Sequence, residues 1–485
     1  MKHALLAILT LITLTAVADR CPKFEMRGAW IATVYNIDWP TQRGTTEKIA
    51  EAQKAELDTM LTRLGRTGFN AVFLQVRPMA DALYKSSYEP WSHHITGKRG
   101  AQPAYDPLRF AIDRCHALGI ELHAWINPFR IVPQKLITQS EADYSNLWMT
   151  NIKDGKPYSI MNPGLPEARR LISDVVKEIA EEYDIDGIVF DDYFYSPEFL
   201  PENEKAADWK QFKSAGFKGT IADWRRDNVN KTINLVYDTL SKIKNGKIRF
   251  GVAPQGIAGG NGIHSGAGIP KLTGYGVVTG DSQYSKIYCD PVAWMLEGCV
   301  DYISPQIYWT RDNPRHSYTG LCRWWYDTAK ACSRHCFPSA IIARFGNKNS
   351  LEFWKESLAQ LSDNRTYAAE TYPGTVFYSA TYISGPKCKG FGDFLASKAY
   401  QTKALMPPMK WKKNVKEVEL RGLKHSQNQL KWNRAGDCRY VVYAIPSSVG
   451  SIDALSASSE GLSSDYIIAM TYSDSYIIPE KYTRG

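Results

Sequence analysis

Two adjacent carboxylates, Asp191 and Asp192, directly follow the apolar run Gly187 to Phe190 and precede Tyr193. The run suits a parallel strand that is buried on both faces, whereas two unpaired carboxylates could not lie inside such a strand. We therefore expect them at its carboxyl end. Like charges raise each other's pKa, so two neighbouring carboxylates are costly to hold together without a task. The pattern favours acid–base chemistry at the mouth of a barrel.

Polar and aromatic side chains also end the other predicted strands, and together they form the set that a sugar-binding site needs. Such a site requires carboxylates, hydrogen-bonding amides or hydroxyls, and aromatic surfaces. Each member also has a structural alternative, because a tryptophan can fill a barrel and a histidine or arginine can satisfy a buried partner. The predicted binding residues are Trp30, Arg77, Asp81, His123, Trp125, Asn127, Tyr193, Gln255, Gln306, Tyr308 and Trp309, with Arg130 and Tyr378 at neighbouring strand ends.

Glycoside hydrolysis normally requires two carboxyl groups. Adjacent residues on an extended chain point in opposite directions, so Asp191 and Asp192 are expected to supply one half of the pair. The loop after the second strand offers Asp81 and Glu89 among tyrosines and a tryptophan, a setting that can raise a carboxyl pKa into the range of an acid catalyst. We predict Asp192, Glu89 and Asp191 as catalytic residues. Substrate-assisted cleavage, in which the sugar's acetamido group is the nucleophile, stays open as the alternative mechanism.

The elements that must position these residues alternate between strand and helix, which is typical of a parallel α/β fold. Helical spacing of apolar residues predicts the connecting helices, and Gly68 and Gly119 end two of them. We predict a (β/α)8 TIM barrel over residues 24–405. Its eight strands are predicted at Gly28 to Val34, Ala71 to Val76, Glu121 to Ile126, Gly187 to Phe190, Ile248 to Ala253, Tyr302 to Tyr308, Ala340 to Ala343 and Thr375 to Ala380, with helices at Glu47 to Leu64, Pro107 to Leu118, Pro166 to Tyr183, Trp224 to Ile243 and Leu351 to Leu361.

The helical pattern stops after Leu405, where Met406 to Lys413 forms a proline- and lysine-rich linker. Short alternating segments then suggest strands at Lys416 to Leu420, Gln429 to Trp432, Tyr440 to Ala444 and Tyr466 to Thr471. We predict a small C-terminal β-sandwich over residues 412–485 that resembles a fibronectin type III module.

The N-terminal 18 residues have the pattern of a removable signal peptide. Lys2 and His3 precede an apolar run, and Ala16 to Ala18 matches the small-residue cleavage pattern. Asp19 and Arg20 are not the small residues that a lipidation site needs before Cys21. We expect cleavage after about Ala18, a secreted or periplasmic location, and no integral membrane segment in the mature protein.

The bulk composition argues against several other classes of protein. The 485 residues carry a net charge of +9 without a dense basic run, so no nucleic-acid partner is expected. The nine cysteines and nine histidines lack paired metal-ligand spacing, and Cys332, His335 and Cys336 have no second pair to complete a site. We predict neither a metal nor another cofactor. Disulfide pairing and oligomeric state stay open.

Several motifs in succession resemble the glycosyl hydrolase-like 10 family over roughly residues 25 to 400. The motifs are Arg27-Gly28-Ala29-Trp30, Asp81-Ala82-Leu83-Tyr84, Glu89-Pro90-Trp91-Ser92, Tyr105-Asp106-Pro107-Leu108, His123 to Arg130, Asn162 to Pro166, Asp186 to Tyr193 and Pro305 to Trp309. The resemblance implies a secreted or envelope-bound bacterial (β/α)8 glycosidase, with some members acting on peptide-stripped peptidoglycan. It also implies acidic site residues at Asp81, Glu89, Asp191 and Asp192, and polar ones at Arg77, His123, Asn127, Gln306 and Tyr308.

The leading hypothesis is therefore an exported glycosidase that cleaves a glycan of N-acetylated amino sugars, with peptide-stripped peptidoglycan as the favoured substrate. The competing class is a non-catalytic carbohydrate-binding barrel of the cell envelope. A metal-dependent deacetylase is disfavoured because the His and Asp ligand spacing is absent.

Overall fold

The computed structural model describes residues 21–133, 145–153, 156–195, 200–260, 263–280, 283–342, 351–368, 371–412, 418–436, 438–448 and 462–482. The predicted signal peptide therefore lies outside the described residues. None of the helices in these ranges combines the length and apolar character needed to cross a bilayer.

The centre of the fold is a sheet of nine strands, all paired in parallel. In chain order the first eleven strands are β1 (Met26–Ile31), β2 (Ala71–Arg77), β3 (Glu121–Ile126), β4 (Trp148–Lys153), β5 (Lys156–Met161), β6 (Gly187–Phe190), β7 (Arg249–Val252), β8 (Tyr302–Ile303), β9 (His335–Cys336), β10 (Ser339–Ile341) and β11 (Gly374–Tyr378). Strands β4 and β5 form a separate antiparallel hairpin in the connection after β3. The other nine follow the order β10-β11-β1-β2-β3-β6-β7-β8-β9.

The two ends of this order belong to one interrupted strand. β9 pairs with β8 and β10 pairs with β11, and only Phe337 and Pro338 separate β9 from β10. Pro338 has no N–H to give to a neighbour, but its carbonyl accepts a hydrogen bond of 3.0 Å from the Val376 amide. The sheet thus returns on itself with eight strand positions, consistent with the predicted (β/α)8 barrel.

Helices connect the parallel strands, and those that begin at Glu47, Pro107 and Pro166 start where the sequence predicts. Gly68 ends the first helix at a φ of 106°, as predicted. The helix predicted from Trp224 instead begins at Ile221, because Thr220 and Asp223 form a reciprocal capping box. The helices are α1 (Glu47–Thr67), α2 (His93–Thr96), α3 (Pro107–Ala117), α4 (Pro166–Glu182), α5 (Trp209–Ser214), α6 (Ile221–Ser241), α7 (Gln283–Lys286), α8 (Pro291–Glu297), α9 (Tyr318–Ala331), α10 (Leu351–Tyr367), α11 (Ala380–Ser384) and α12 (Phe391–Lys398).

Large side chains fill the barrel interior, while a separate apolar core lies between the sheet and the helices. Glycines on the strands make room for the largest of these side chains. A β-carbon at Gly187 would lie 2.5 Å from His123 Nδ1, and one at Gly251 would overlap the ring of Tyr302. The glycine that opens β6 is therefore required by the packing of its neighbour on β3.

The C-terminal region forms two small antiparallel sheets. Strands β12 (Arg421–Ser426), β13 (Gln429–Asn433) and β16 (Ser475–Ile477) make one, and β14 (Tyr440–Tyr443) and β15 (Ile467–Thr471) make the other. The strand predicted at Lys416 to Leu420 lies partly outside the described residues, and its described part, 418–420, precedes the strand that begins at Arg421. The sheets agree with a small β domain, whereas the sandwich and its fibronectin type III character remain predictions.

This C-terminal region contacts the amino ends of the barrel strands. Arg439 forms an ion pair with Glu121, the first residue of β3. Tyr472 donates a hydrogen bond of 2.6 Å to Asp186 and stacks on the His116 ring at 3.7 Å. In the linker, Trp411 donates a hydrogen bond of 2.8 Å to Asp301. The candidate site lies at the opposite, carboxyl end of the barrel.

Candidate active site

A cavity of about 340 Å³ lies at the carboxyl ends of the barrel strands, the face where barrel enzymes hold their active sites. We call it the barrel-mouth cavity. Residues from β1, β3 and β11 line it, together with the segments that follow β1, β3, β6 and β8. Its lining residues are Trp30, Val34, Tyr35, Ile37, Trp125, Arg130, Asp191, Asp192, Tyr193, Gln306, Tyr308 and Tyr378.

Asp191 is the more deeply buried of the two neighbouring carboxylates, with an exposed fraction of 3%. Its Oδ2 atom accepts hydrogen bonds from Trp125 Nε1, at 3.1 Å, and from Asn127 Nδ2. Its Oδ1 atom accepts the Tyr193 amide at 3.2 Å. Burial and the adjacent Asp192 carboxylate raise the pKa of Asp191 to about 7, and the positive charge of Arg130 only partly opposes them.

Asp192 faces the other side of the barrel and is half-buried. Gln306 Nε2 donates to its Oδ1 at 3.1 Å and also to the Ala253 carbonyl at 2.8 Å, so the amide spans from Asp192 to the end of β7. Burial raises the pKa of Asp192, against hydrogen bonds from Gln306 and Gln255 that lower it. The two carboxylates diverge as their adjacent positions predict, one toward β3 and one toward β8.

A chain of amides positions Asp191 from the first three barrel strands. Gln75 Nε2 donates to Asn127 Oδ1 at 2.6 Å, which turns the Asn127 amide nitrogen toward Asp191. The Gln75 oxygen in turn accepts the backbone amides of Thr33 and Val34 at 3.0 and 2.9 Å. Asn127 and Gln75 thus support the site from behind, although neither lines the cavity.

Aromatic rings form the walls of the cavity. Trp30 packs edge-on against Trp125 with 4.8 Å between ring centroids, and its indole nitrogen donates to Ser339 Oγ at 3.0 Å. Tyr193 is 41% exposed, and the Arg130 guanidinium lies 4.4 Å from its ring centre. These rings offer flat apolar surfaces next to the carboxylates, as sugar rings require.

Glu89 does not line the barrel-mouth cavity. It forms a buried ion pair with Arg77, whose guanidinium also donates to the carbonyls of Asn127 and Pro128. Burial raises the pKa of Glu89 despite this pairing. The structure thus brings Asp191 and Asp192 together in the cavity. Glu89 and Arg77 pair with each other and do not line it.

Asp81 is also paired away from the cavity. Its carboxylate lies 3.0 Å from Arg99 Nη1 and accepts the Met79 amide at 2.9 Å. Burial opposes ionisation, but His93, whose Nδ1 lies 3.6 Å from the carboxylate, and the charge of Arg99 lower the pKa of Asp81 to about 2. This carboxylate stabilises the loop in its ionised form.

Three other predicted binding residues lie beside or below the cavity. His123 is fully buried inside the barrel, 2.8 Å from the Tyr302 hydroxyl and 3.2 Å from Glu121. Trp309 packs 5.0 Å from the His316 ring. Gln255, in the segment after β7, lowers the pKa of Asp192 through a hydrogen bond but is not part of the cavity lining.

The segment after β1 contributes lining residues that the sequence analysis missed. Val34, Tyr35 and Ile37 reach the cavity from a short 3₁₀ turn at Val34–Asn36. Tyr35 is 69% exposed and has a φ of 53°, in the left-handed region. The sequence did contain a signal for Tyr35, because it is an aromatic residue that follows directly after the predicted strand that carries Trp30.

Barrels with carboxyl groups of raised pKa between aromatic walls at their strand ends are typical of glycoside hydrolases. Residues 25–344 match the family model described as Glycosyl hydrolase-like 10, and the chain belongs to this family. Membership and the named relatives confirm the predicted glycosidase.

Two relatives match most of the chain. Glycosyl hydrolase YngK of Bacillus subtilis (strain 168) is 34% identical over 400 residues, which cover 81% of this chain and 75% of the relative. Glycosyl hydrolase DigH of Escherichia coli (strain K12) is 32% identical over 398 residues, which cover 77% of this chain and 87% of the relative.

Among solved structures, the glycoside hydrolase domain of PgaB (BpsB) from Bordetella bronchiseptica aligns with a TM-score of 0.48 at 13% identity, covering 77% of this chain and 99% of that structure. The catalytic domain of β-amylase from Paenibacillus polymyxa aligns with a TM-score of 0.48 at 11% identity, covering 78% of this chain and 100% of that structure. At this level of similarity, neither bears on the chemistry of the site.

Proposed function

We propose that this glycosidase hydrolyses β-linked strands of N-acetylated amino sugars, with peptide-stripped peptidoglycan as its substrate. The observation that carries the proposal is the position of Asp191 and Asp192 in one cavity between aromatic walls. Amino-sugar strands present apolar ring faces and amide groups, which match aromatic surfaces and carboxylates. The signal-like N-terminal sequence supports a site of action outside the cytoplasm.

In this proposal Asp192 is the general acid and base. Its carboxyl group is half-buried in the cavity, whereas Asp191 is 3% exposed and already accepts three protein N–H groups. Burial raises the pKa of Asp192 above its ordinary value, which is the direction that a general acid requires. Asp191 then serves as the orienting carboxylate.

The acetamido group of the substrate supplies the nucleophile. Among the described residues that line the cavity, Asp191 and Asp192 are the carboxylic acids, which supports the substrate-assisted route over a second protein carboxyl. The acetamido oxygen attacks the anomeric carbon while Asp192 protonates the departing glycosidic oxygen, and Asp191 accepts the acetamido N–H. Asp192 then removes a proton from the water that attacks the anomeric carbon and restores the acetamido group.

Three glycans test this proposal in one assay. Purified protein is incubated with peptide-stripped peptidoglycan, with N-acetylated chitin oligosaccharides and with their deacetylated counterparts, and products are analysed by mass spectrometry in ¹⁸O-water. We expect one ¹⁸O per new reducing end and at least a roughly 100-fold slower cleavage of the deacetylated chains. Equal cleavage of the deacetylated chains would overturn the acetamido step. No cleavage of either N-acetylated glycan would overturn the substrate assignment.

A further inference from the structure

A second cavity adjoins the barrel-mouth cavity and shares Tyr35 with it. We call it the side cavity. It has a volume of about 390 Å³ and opens beside the segment that follows β1. Its lining residues are Tyr35, Asn36, Thr41, Arg43, His93 and His94. None of these residues takes part in the proposed catalytic steps.

Tyr35 is held between the two cavities by its surroundings. Tyr35 and Asn36 both have a φ of 53°, a conformation that costs free energy for side-chain-bearing residues and persists only where neighbours impose it. Asn36 Nδ2 donates to the His94 carbonyl at 2.8 Å, and the Tyr35 ring packs edge-on to His94 at 5.9 Å. An exposed ring held in this way is a preformed surface for a sugar.

The side cavity carries a positive charge that the protein does not neutralise. Arg43 is exposed and forms no ion pair or hydrogen bond with the residues that the structure describes. Two acids that contact other lining residues are engaged elsewhere, since Asp81, beside His93, is buried against Arg99 and Glu56 accepts the N–H and O–H of Thr41. The guanidinium of Arg43 is therefore available to a ligand anion.

His94 adds a neutral polar group to the same wall. It is 2% exposed, and its Nε2 atom has no hydrogen-bond partner within the described part of the chain. Burial lowers the pKa of His94 to about 4, so the ring is neutral at physiological pH. An uncharged imidazole beside an arginine suits a ligand that presents a carboxylate together with hydroxyl or amide groups.

We propose that the side cavity is a glycan subsite in which Tyr35 supports a sugar ring and Arg43 binds a carboxylate on that sugar. This inference rests on the proposed function and names the feature of the glycan that the protein recognises. Removal of the peptide from peptidoglycan frees the lactyl carboxylate of the muramic acid residue, whereas an attached peptide converts it to an uncharged amide. Arg43 thus selects stripped strands over intact ones and over chitin.

The test compares Arg43→Gln with the wild-type protein on stripped peptidoglycan strands and on chitin oligosaccharides. Loss of a charge-assisted contact should lower the ratio of kcat/KM for the acidic strand over the neutral one by about 10- to 100-fold. Converting the strand's carboxylates to methyl amides should lower kcat/KM for the wild type by a similar factor and leave Arg43→Gln insensitive. Arg170→Gln, an exposed arginine on α4, is the matched control and should keep the wild-type ratio.

An unchanged ratio in Arg43→Gln, with active wild-type protein, would overturn the subsite and leave the proposed function standing. A binding measurement separates the two proposals further. Both proteins are titrated with N-acetylmuramic acid and with N-acetylglucosamine and followed by NMR. Tighter binding of the acid that disappears in Arg43→Gln supports the subsite even where no glycan is cleaved, and equal binding of both sugars by the wild type overturns it.

Discussion

The two ends of the barrel both collect buried carboxylates, but they treat them in opposite ways. At the carboxyl end, burial and mutual repulsion raise the pKa of Asp191 and burial raises that of Asp192. At the amino end, burial is outweighed by Arg249 and Arg439, which lower the pKa of Glu121. Glu121 lies 3.1 Å from Arg249 Nε and also contacts His123 and Arg439.

The difference shows that the cations around a strand end decide what its carboxylate does. Glu121 is fully committed to ion pairs that join β3, β7 and the C-terminal region. The Asp191 and Asp192 pair has mostly neutral N–H donors, and Arg130 only partly opposes the rise in the pKa of both carboxyl groups. One end of the barrel uses its carboxylate in ion pairs, and the other holds carboxyl groups whose pKa is raised.

The largest effect is expected from a substitution that removes the proposed general acid. Asp192→Asn keeps the shape of the side chain but cannot deliver a proton, so we expect kcat to fall by on the order of 1000-fold. Steady-state kinetics and thermal unfolding on the same sample check the result, and the melting temperature should not fall. The matched control at the other end, Glu121→Gln, should retain kcat. Activity that survives Asp192→Asn would remove Asp192 from the mechanism.

The pH dependence of stability should have opposite signs at the two ends. The folded-state pKa of Asp191, about 7, is above its usual value of 3.8. The contribution of Asp191 to stability therefore decreases as the pH rises from about 3.8 to about 7. Asp191→Asn removes that penalty. We expect the variant to gain up to about 4 kcal/mol relative to the wild type between pH 4 and pH 7 in urea unfolding.

Glu121→Gln supplies the opposite arm of that experiment. The folded-state pKa of Glu121 is lowered, so its contribution is fully present at neutral pH and is lost as pH falls through that lowered pKa. The variant should be destabilised at pH 7 by about 3 kcal/mol, and less so in acid. A parallel pH trend in the two variants would contradict the contrast between the barrel ends.

The smallest expected effect concerns the contact between the C-terminal region and the barrel. Tyr472→Phe keeps the ring stacked on His116 but loses the hydrogen bond to Asp186. We expect a loss of about 1 kcal/mol in the free energy of unfolding and unchanged kcat. A clear loss of kcat in Tyr472→Phe would show that the amino end of the barrel influences the site.

The strands that the sequence predicts best are those with the most continuous apolar runs. The predicted bounds of β3 and β6 agree with the structure, and β2 extends one residue further, to Arg77. The seventh strand was predicted only at its second half, because Pro338 interrupts the run and hides the pairing of His335 and Cys336 with β8. Helix α9 was not predicted, although its buried residues fall at three- and four-residue spacing.

The site was predictable where a side chain lies at the very end of a strand. Three alternate residues of β3 point into the barrel, namely Glu121, His123 and Trp125. Each lies about 7 Å further along the strand than the one before it. Only Trp125 therefore reaches the cavity, whereas His123 contacts Tyr302 in the layer below. Strand alternation identified the inward face without identifying the layer.

Loop residues were harder to place because their partners come from the folded path of the same loop. Glu89 pairs with Arg77 and Asp81 with Arg99, and each arginine lies within 20 residues of its acid. Nothing local in the sequence distinguishes a carboxylate that folds back onto an arginine from one that faces a substrate. Tyr35 was missed for a related reason, since its φ of 53° is a property of the turn.

The closure of the barrel by β1 and β11 also sets the order in which the protein can fold. Met26 pairs with Gly374 and Ala29 with Phe377, so one edge of β1 has no partner until residues near 378 have been synthesised. At typical rates of synthesis this takes on the order of half a minute. During that time the open edge can pair with other chains. The first barrel strand therefore needs protection from aggregation on the growing chain.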